Sequence, residues 1–326
     1  MSEPWTWHGG GIEAAKRHFG GGDWIDLSTG INPHRWPGAA GMAFDWRRLP
    51  EPEHLARLEA VAADYFCVDP RHVCAVPGSE IGLRLVGTLI DGDTIHIAPG
   101  YRTHGEMISG SAETGWGDAP GATGTLILAN PNNPDGRALA PDALLEWLER
   151  GTGWLLVDEA FADADPALSV AASVADDARL IVFRSFGKFF GLAGVRLGFV
   201  VAPTAIVAAL RERLGAWPLS EAAIAIAAAA YADAEWIEVT RRRLPGDAAA
   251  LDAMLARHGY RAAGACPLFR LIEADDGRTL FERLARRAIL TRPFAGQPRW
   301  LRLGLPADAA ALARLDAALD LARPDG

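Results

Sequence analysis

The chain has 326 residues, 50% of them hydrophobic, which is enough to bury a large core and long for a single one. Its formal net charge of -9 argues against a nucleic-acid-binding protein, because such proteins usually carry a basic stripe. The composition therefore favours one large domain together with a smaller one.

Residues 1–49 show little regular pattern, and we expect them to form an N-terminal segment that packs across both domains. From residue 73 to residue 201, short apolar runs alternate with helical patterns. The predicted strands cover residues 73–76, 94–97, 125–128, 154–157, 179–183 and 197–201, and the predicted helices cover residues 80–90 and 141–150. Runs that are apolar on both faces are typical of strands covered by helices on each side. The pattern predicts an α/β fold with a mostly parallel central sheet, in a large domain over residues 50–215.

The remainder of the chain has a different pattern. Residues 203–258 are helical in character almost throughout. Strand-like runs at 267–272 and 300–305 flank a predicted helix near 280–287, and a last helix is predicted over 308–321. This mixture predicts a smaller α+β domain over residues 216–326.

Signals of export, membrane insertion and metal binding are absent from the sequence. Residues 1–8 have no basic start followed by an apolar run, and the longest apolar stretch, 222–230, is too short to span a membrane. The three cysteines and eight histidines show no metal-ligand spacing. We therefore expect a cytoplasmic protein with reduced thiols, no membrane anchor and no metal site.

Four polar motifs follow predicted strands, at the ends where open α/β sheets bind their ligands. They are Pro77-Gly78-Ser79-Glu80, the Asn-Pro-rich segment 130–136, Asp158-Glu159-Ala160 and Ser185-Phe186-Gly187-Lys188. Small residues at a helix start leave N–H groups open to a phosphate, and desolvation among aromatic residues makes a lysine amine available for Schiff-base chemistry. Taken singly, each motif has an ordinary alternative: a helix cap, a rigid turn, or a surface lysine in a loop.

The order of these motifs is more informative than any one of them. With Arg196 placed eight residues after Lys188, the layout resembles the fold type I pyridoxal-phosphate enzymes, the aspartate aminotransferase superfamily. The resemblance extends from about Leu27 to Leu305, which is nearly the whole chain. It implies pyridoxal 5'-phosphate as cofactor and a homodimer in which two subunits build each active site.

The resemblance also implies a role for each matching residue. Lys188 would hold the cofactor as a Schiff base and move protons, and Asp158 would pair with the pyridine nitrogen. Asn133 would hydrogen-bond the ring's 3'-oxygen, while Tyr101 would stack on the ring and share in catalysis. The cofactor phosphate would be held by Gly78, Ser79, Ser185 and Arg196.

Two positions depart from the family pattern. Phe161 stands where many relatives have a tyrosine, so a hydrogen bond to the 3'-oxygen is lost. Leu49 precedes Pro50 where relatives have Tyr-Pro, so a hydroxyl contact to the partner subunit's cofactor phosphate is lost as well.

Within the superfamily, the N-terminal motifs are the most specific. The motif His8-Gly9-Gly10, followed by Leu27-Ser28-Thr29-Gly30-Ile31-Asn32-Pro33, resembles the threonine-phosphate decarboxylases of cobalamin biosynthesis. This implies that His8, Gly9 and Asn32 contact the substrate's phosphate or carboxylate, and that Arg292 and Arg302 bind its two anionic groups. A disordered terminus is the alternative for His8, and a surface position at a strand edge is the alternative for Arg302.

The implied reaction is the loss of CO2 from L-threonine O-3-phosphate, giving (R)-1-amino-2-propanol O-2-phosphate. Which substrate bond breaks depends on angles that no sequence reports, so two alternatives stay open. The first is an aminotransferase acting on histidinol phosphate or a related amino acid. The second is a non-catalytic relative with a binding role, which the replacements at Phe161 and Leu49 favour.

Overall fold

The computed structural model describes residues 4–119 and 123–320, without the side chains of Pro4 and Trp7. The helices are α1 (Pro4–Trp7), α2 (Ile12–Phe19), α3 (Pro52–Phe66), α4 (Ser79–Gly87), α5 (Arg102–Glu106), α6 (Pro141–Arg150), α7 (Phe186–Phe189), α8 (Thr204–Leu214), α9 (Glu221–Ala232), α10 (Ala234–Arg257), α11 (Gly277–Ala285) and α12 (Ala309–Asp320). The strands are β1 (Ile25–Asp26), β2 (Val73–Val76), β3 (Thr94–Ile97), β4 (Ala112–Thr114), β5 (Thr125–Ala129), β6 (Leu155–Asp158), β7 (Leu180–Ser185), β8 (Gly198–Val201), β9 (Ala262–Ala263), β10 (Phe269–Glu273), β11 (Ile289–Leu290), β12 (Arg292–Phe294) and β13 (Gln297–Gly304).

The chain divides into two compact units. Residues 35–133 and 137–239 form the first, here called the sheet unit, and residues 1–34, 134–136 and 240–326 form the second, the terminal unit. These bounds differ from the sequence-based boundaries at 49/50 and 215/216. The sheet unit extends to residue 239 because α9 packs against α3.

A seven-stranded sheet forms the centre of the sheet unit, in the order β2-β8-β7-β6-β5-β3-β4. Neighbouring strands are parallel from β4 to β7, and β8 is antiparallel to both β7 and β2. Every residue of β2, β5, β6, β7 and β8 is buried, as expected for strands that are apolar on both faces. The predicted α/β fold with a mostly parallel sheet is confirmed.

This topology places several chain segments at one edge of the sheet. Strands β2, β3, β5, β6 and β7 run in the same direction, so their carboxyl ends share that edge. Gly198, the first residue of β8, pairs there with both Val76 and Ser185. The predicted polar motifs follow these strand ends.

The terminal unit is an α+β arrangement. Its sheet has the order β12-β13-β10-β9 with antiparallel neighbours, and β1 pairs in parallel with β11. Asp276 caps α11 by accepting hydrogen bonds from the backbone N–H groups of Arg278 and Thr279, both at 3.0 Å. Among the described residues, no helix combines the length and the apolar character needed to cross a membrane.

Candidate active site

Asp158, the last residue of β6, is buried at the sheet edge with 5% of its surface exposed. Its Oδ1 accepts a hydrogen bond from the Ala160 backbone N–H at 3.1 Å. Its Oδ2 lies 3.1 Å from Nε2 of His104, a fully buried residue of α5. A carboxylate in this setting is held in one orientation by a backbone donor and an imidazole donor, which suits it to face a cationic ring.

Lys188 lies in α7, directly after β7, and is partly buried. Its Nζ is 5.6 Å from the centre of the Phe161 ring, and its neighbours Phe186, Phe189 and Phe190 are fully buried. The amine therefore meets an aromatic face on one side, within reach of a cation–π contact. Such surroundings are unusual for a lysine whose role is only to be solvated.

The turn between β2 and α4 forms a cup with Arg196. Gly78 has a φ of 91°, which favours glycine, and a Cβ built there would lie 2.9 Å from Arg196 Nη2. A Cβ on Gly198 would likewise lie 2.4 Å from the backbone nitrogen of Ser79. The guanidinium and the N-terminus of α4 thus approach each other because these positions lack side chains. Ser185 ends β7 at the same edge of the sheet.

Tyr101 precedes α5 and is tied to α4 through Glu80. Its hydroxyl donates to Glu80 Oε2 at 3.0 Å, and its ring packs edge-on against His104 with centroids 5.6 Å apart. Burial and the neighbouring Glu80 carboxylate raise the pKa of Tyr101 to about 12. The phenol therefore stays neutral in the physiological range and presents an uncharged ring.

The asparagine-rich segment after β5 is a rigid turn. Asn130 bridges it: its Nδ2 donates to the carbonyls of Leu139 and Leu168, and its Oδ1 accepts from the Leu139 N–H at 2.9 Å. Asn132 Nδ2 donates to the Pro99 carbonyl at 3.1 Å. Asn133 follows, partly buried, in the loop after this edge of the sheet.

A buried ionic network includes the chain neighbours of Asp158 and Ser185. Arg184 is paired with Glu159 at 2.6 Å and with Asp163, and all three are nearly or fully buried. Burial raises the pKa of Glu159, while Arg184 and the hydrogen bond from Ser169 act against that rise. Because Glu159 follows Asp158 and Arg184 precedes Ser185, this network braces two of the strand ends that carry predicted site residues.

In the terminal unit, Arg302 is a buried arginine with 3% of its surface exposed. Its Nη2 donates to the Ser28 carbonyl at 2.8 Å, and its guanidinium lies 5.1 Å from the Phe269 ring centre. Arg292 is its partner across β12 and β13. Burial, and then the charge of Arg292, lower the pKa of Arg302. Two adjacent cations of this kind favour an anionic ligand.

Gly9 and Gly10 both lie against Ser28, the residue whose carbonyl Arg302 contacts. The Gly10 N–H donates to Ser28 Oγ at 2.6 Å, and a Cβ on Gly9 would lie 2.4 Å from the Ser28 carbonyl oxygen. Asn32 is buried, and its Oδ1 accepts from the His34 N–H at 3.0 Å. Of the predicted substrate residues, Gly9 and Arg302 share Ser28 as a neighbour, and His8 is exposed.

Sequence reasoning missed His104 and the Glu159–Arg184–Asp163 network. His104 stands three residues after Tyr101, but no helical period marks that segment in the sequence. Asp163 and Arg184 lie four and 25 residues after Glu159, and no local pattern marks them. They meet only because β6 and β7 are neighbours.

Comparison with known proteins gives concordant results. Residues 111–318 match the family model described as aminotransferase class I and II. The chain is 42% identical over 335 residues to a threonine-phosphate decarboxylase from Sinorhizobium sp, covering 98% of each protein. It is 40% identical over 327 residues to a threonine-phosphate decarboxylase from Pseudomonas aeruginosa, covering 96% of each.

Among solved structures, the chain resembles the histidinol-phosphate aminotransferase from Sinorhizobium meliloti in complex with pyridoxal-5'-phosphate. The TM-score is 0.84 at 20% identity, and the match covers 96% of this chain and 94% of that one. At this identity the likeness concerns the fold.

Proposed function

Because the chain belongs to the aminotransferase class I and II family and, within it, to the threonine-phosphate decarboxylases, we propose that it is a pyridoxal-phosphate-dependent carboxy-lyase. The reaction is the conversion of L-threonine O-3-phosphate to (R)-1-amino-2-propanol O-2-phosphate and CO2, as a step of cobalamin biosynthesis. Similarity to decarboxylases of this name over nearly the full length of the chain is the observation that carries the proposal.

Four features of the sheet unit support this cofactor. The space above Gly78, which a Cβ would fill, lies between Arg196 and the start of α4 and suits a phosphate. Asp158 offers a buried, oriented carboxylate for a protonated ring nitrogen. Lys188 offers an amine beside aromatic rings, and Asn133 an amide for the ring's 3'-oxygen.

When bound, pyridoxal phosphate supplies an aldehyde that condenses with amines and a ring that accepts the electron pair released at the substrate's Cα. The residues of the chain bind the cofactor ring and move the protons. Asp158, oriented by His104, would pair with the ring nitrogen and favour its protonated form. Tyr101 presents a neutral ring for stacking. Lys188 is the group that moves protons, and it returns one to Cα after CO2 has left.

Binding of the substrate's charged groups determines which bond breaks. Arg292 and Arg302, with His8, Gly9 and Asn32, are the residues that we assign to the phosphate and carboxylate. Fixing both anions fixes the rotation about the bonds of Cα, so binding energy is used to orient the carboxylate for departure. If the hydrogen on Cα were held in that orientation instead, Lys188 would remove it and transamination would follow.

One paired assay tests the proposal. Purified protein with cofactor is incubated with L-threonine O-3-phosphate while CO2 is monitored, and separately with histidinol phosphate and 2-oxoglutarate while glutamate is monitored. CO2 release without glutamate formation supports the decarboxylase. Glutamate formation without CO2 supports an aminotransferase, which sequence similarity to a histidinol-phosphate aminotransferase favours as the second candidate. Protein that binds no cofactor contradicts both and supports a non-catalytic role.

We also propose a cytoplasmic homodimer. Trp46 and Leu49 are 76% and 61% exposed in the segment before α3, and Trp217 is 57% exposed. Large apolar side chains at a surface are typical of a contact with another subunit. Light scattering on the purified protein, expected at twice the mass of 34.8 kDa, tests the assembly, and cell fractionation tests the location.

A further inference from the structure

Glu80 is the second residue of α4 and follows Ser79 in the turn that we assign to the cofactor phosphate. A carboxylate so near an anion is unfavourable unless its charge is engaged elsewhere. Glu80 Oε1 accepts a hydrogen bond from Arg84 Nε at 2.7 Å. Its Oε2 accepts two more, from the hydroxyls of Tyr101 at 3.0 Å and Thr103 at 2.8 Å. The carboxylate therefore points towards α5.

Through these two hydroxyls, the Glu80 side chain is hydrogen-bonded to the start of α5. Thr103 and His104 are consecutive, fully buried residues of α5, and His104 orients Asp158. A second bridge joins the same two helices, since Arg84 reaches Glu106 at 3.2 Å and that glutamate also pairs with Arg102 at 3.1 Å. The bridge through Glu80 includes the Tyr101 hydroxyl.

The ordinary role of a glutamate at this position is to stabilise its own helix, through the helix dipole and an i,i+4 ion pair. The contact with Arg84 fits that role, but the two contacts to α5 do not. Burial acts to raise the pKa of Glu80, yet hydrogen bonds from Thr103, Arg84 and Tyr101 bring it below its ordinary value. The group stays ionised, with one donor from its own helix and two from the segment at α5.

We infer that Glu80 is a positioning residue for the cofactor, holding the Tyr101 ring in register with the phosphate-binding turn. The inference rests on the proposed function, because it presupposes a cofactor that uses both the turn and the ring. In this role Glu80 contacts neither the substrate nor the reacting atoms.

Cofactor affinity, measured by titrating the apo-protein with pyridoxal phosphate, is the first test. Hydrogen bonds to a charged group contribute enough that Glu80→Ala is expected to weaken binding about tenfold. Glu80→Gln keeps an oxygen acceptor for both hydroxyls and is expected to restore most of that loss. The matched control is Glu106→Ala, which breaks the other bridge between α4 and α5 and is expected to change affinity less than twofold.

A double-mutant cycle with Tyr101→Phe separates positioning from general destabilisation. If Glu80 acts through the Tyr101 hydroxyl, Glu80→Ala costs much less affinity in the Tyr101→Phe background than in the wild type. Full additivity of the two losses, or a wild-type affinity in Glu80→Ala, overturns the inference. A wild-type protein that binds no cofactor overturns the proposed function itself.

Phenol titration of the apo-protein provides a readout without cofactor or activity. Tyr101 should not ionise below pH 11 in the wild type, because burial and Glu80 raise its pKa to about 12. In Glu80→Gln the negative charge is gone, so one additional tyrosine is expected to titrate at lower pH. That additional titration should be absent from Glu80→Gln/Tyr101→Phe. An unchanged titration in Glu80→Gln contradicts the contact on which the inference depends.

Discussion

Replacing Arg302 by methionine should separate substrate binding from stability. The guanidinium is buried, lies beside Arg292 and donates a hydrogen bond to the Ser28 carbonyl at 2.8 Å. Methionine keeps an apolar stem to pack near the Phe269 ring and removes a buried cation. Losing the hydrogen bond costs about 1 kcal/mol, and removing a charge that is desolvated and faces another cation offsets it. The free energy of unfolding should stay within about 2 kcal/mol of the wild type.

The effect on catalysis should be much larger. A cation that binds a phosphate or carboxylate through charge-assisted hydrogen bonds contributes about 1.5 to 3 kcal/mol for each bond. With two such bonds, kcat/KM for L-threonine O-3-phosphate is expected to fall about a hundredfold or more, since each 1.4 kcal/mol is tenfold. The assays are CO2 release and denaturant unfolding of the same preparations.

The matched control is Arg299→Met. Arg299 belongs to the same strand, but 58% of its side chain is exposed and it pairs with Glu273 at 3.1 Å, so neither kcat/KM nor stability should change much. An unchanged kcat/KM in Arg302→Met would refute the role assigned to Arg302. So would a loss of activity that comes only from unfolding, with a destabilisation well above that of the control.

Three further predictions concern the sheet unit. Gly78→Ala should weaken cofactor binding at least about tenfold, because the added Cβ blocks the cup beside Arg196 and strains a positive φ. Gly194→Ala places its Cβ in open space and should not weaken binding. Equilibrium titration of the two apo-proteins with pyridoxal phosphate distinguishes the variants. His104→Phe leaves the buried Asp158 carboxylate without its imidazole donor and should lower both the unfolding free energy, by about 1 to 3 kcal/mol, and the cofactor affinity. Wild-type values for both quantities in His104→Phe would contradict this. Arg184→Leu leaves two buried carboxylates uncompensated and should destabilise the fold by about 3 to 5 kcal/mol in denaturant unfolding, and a loss below 1 kcal/mol would be contrary to the network described.

Much of the sheet was predictable because its strands are buried on both faces. Each apolar run from 73 to 201 corresponds to one of the central strands, within a residue or two at the ends. The edge strand β4 escaped prediction, since Ala112–Thr114 is short and largely exposed and carries no apolar run. Helix α5 escaped for a related reason: Arg102–Glu106 has no amphipathic period and is held by bonds from α4.

The candidate site, like the sheet, could be predicted only in part from the sequence. Residues that follow parallel strands could be grouped from the sequence, because parallel strands end at one edge of a sheet. Contacts such as that between His104 and Asp158 depend on the path of α5, which tertiary hydrogen bonds determine. The burial of Arg302 depends on Ser28 and Phe269, which are distant in the chain, so its role came from the family resemblance alone.

The central claim is that Lys188 carries the cofactor, and the composition makes it easy to test. The chain contains two lysines, Lys188 and Lys16, and Lys16 is paired with Glu13 at 2.7 Å in α2. Borohydride reduction of cofactor-saturated protein followed by peptide mass mapping should find a pyridoxyl group on Lys188, with none in Lys188→Ala and full labelling in Lys16→Arg. A pyridoxyl group on Lys16, or on neither lysine, would contradict the account.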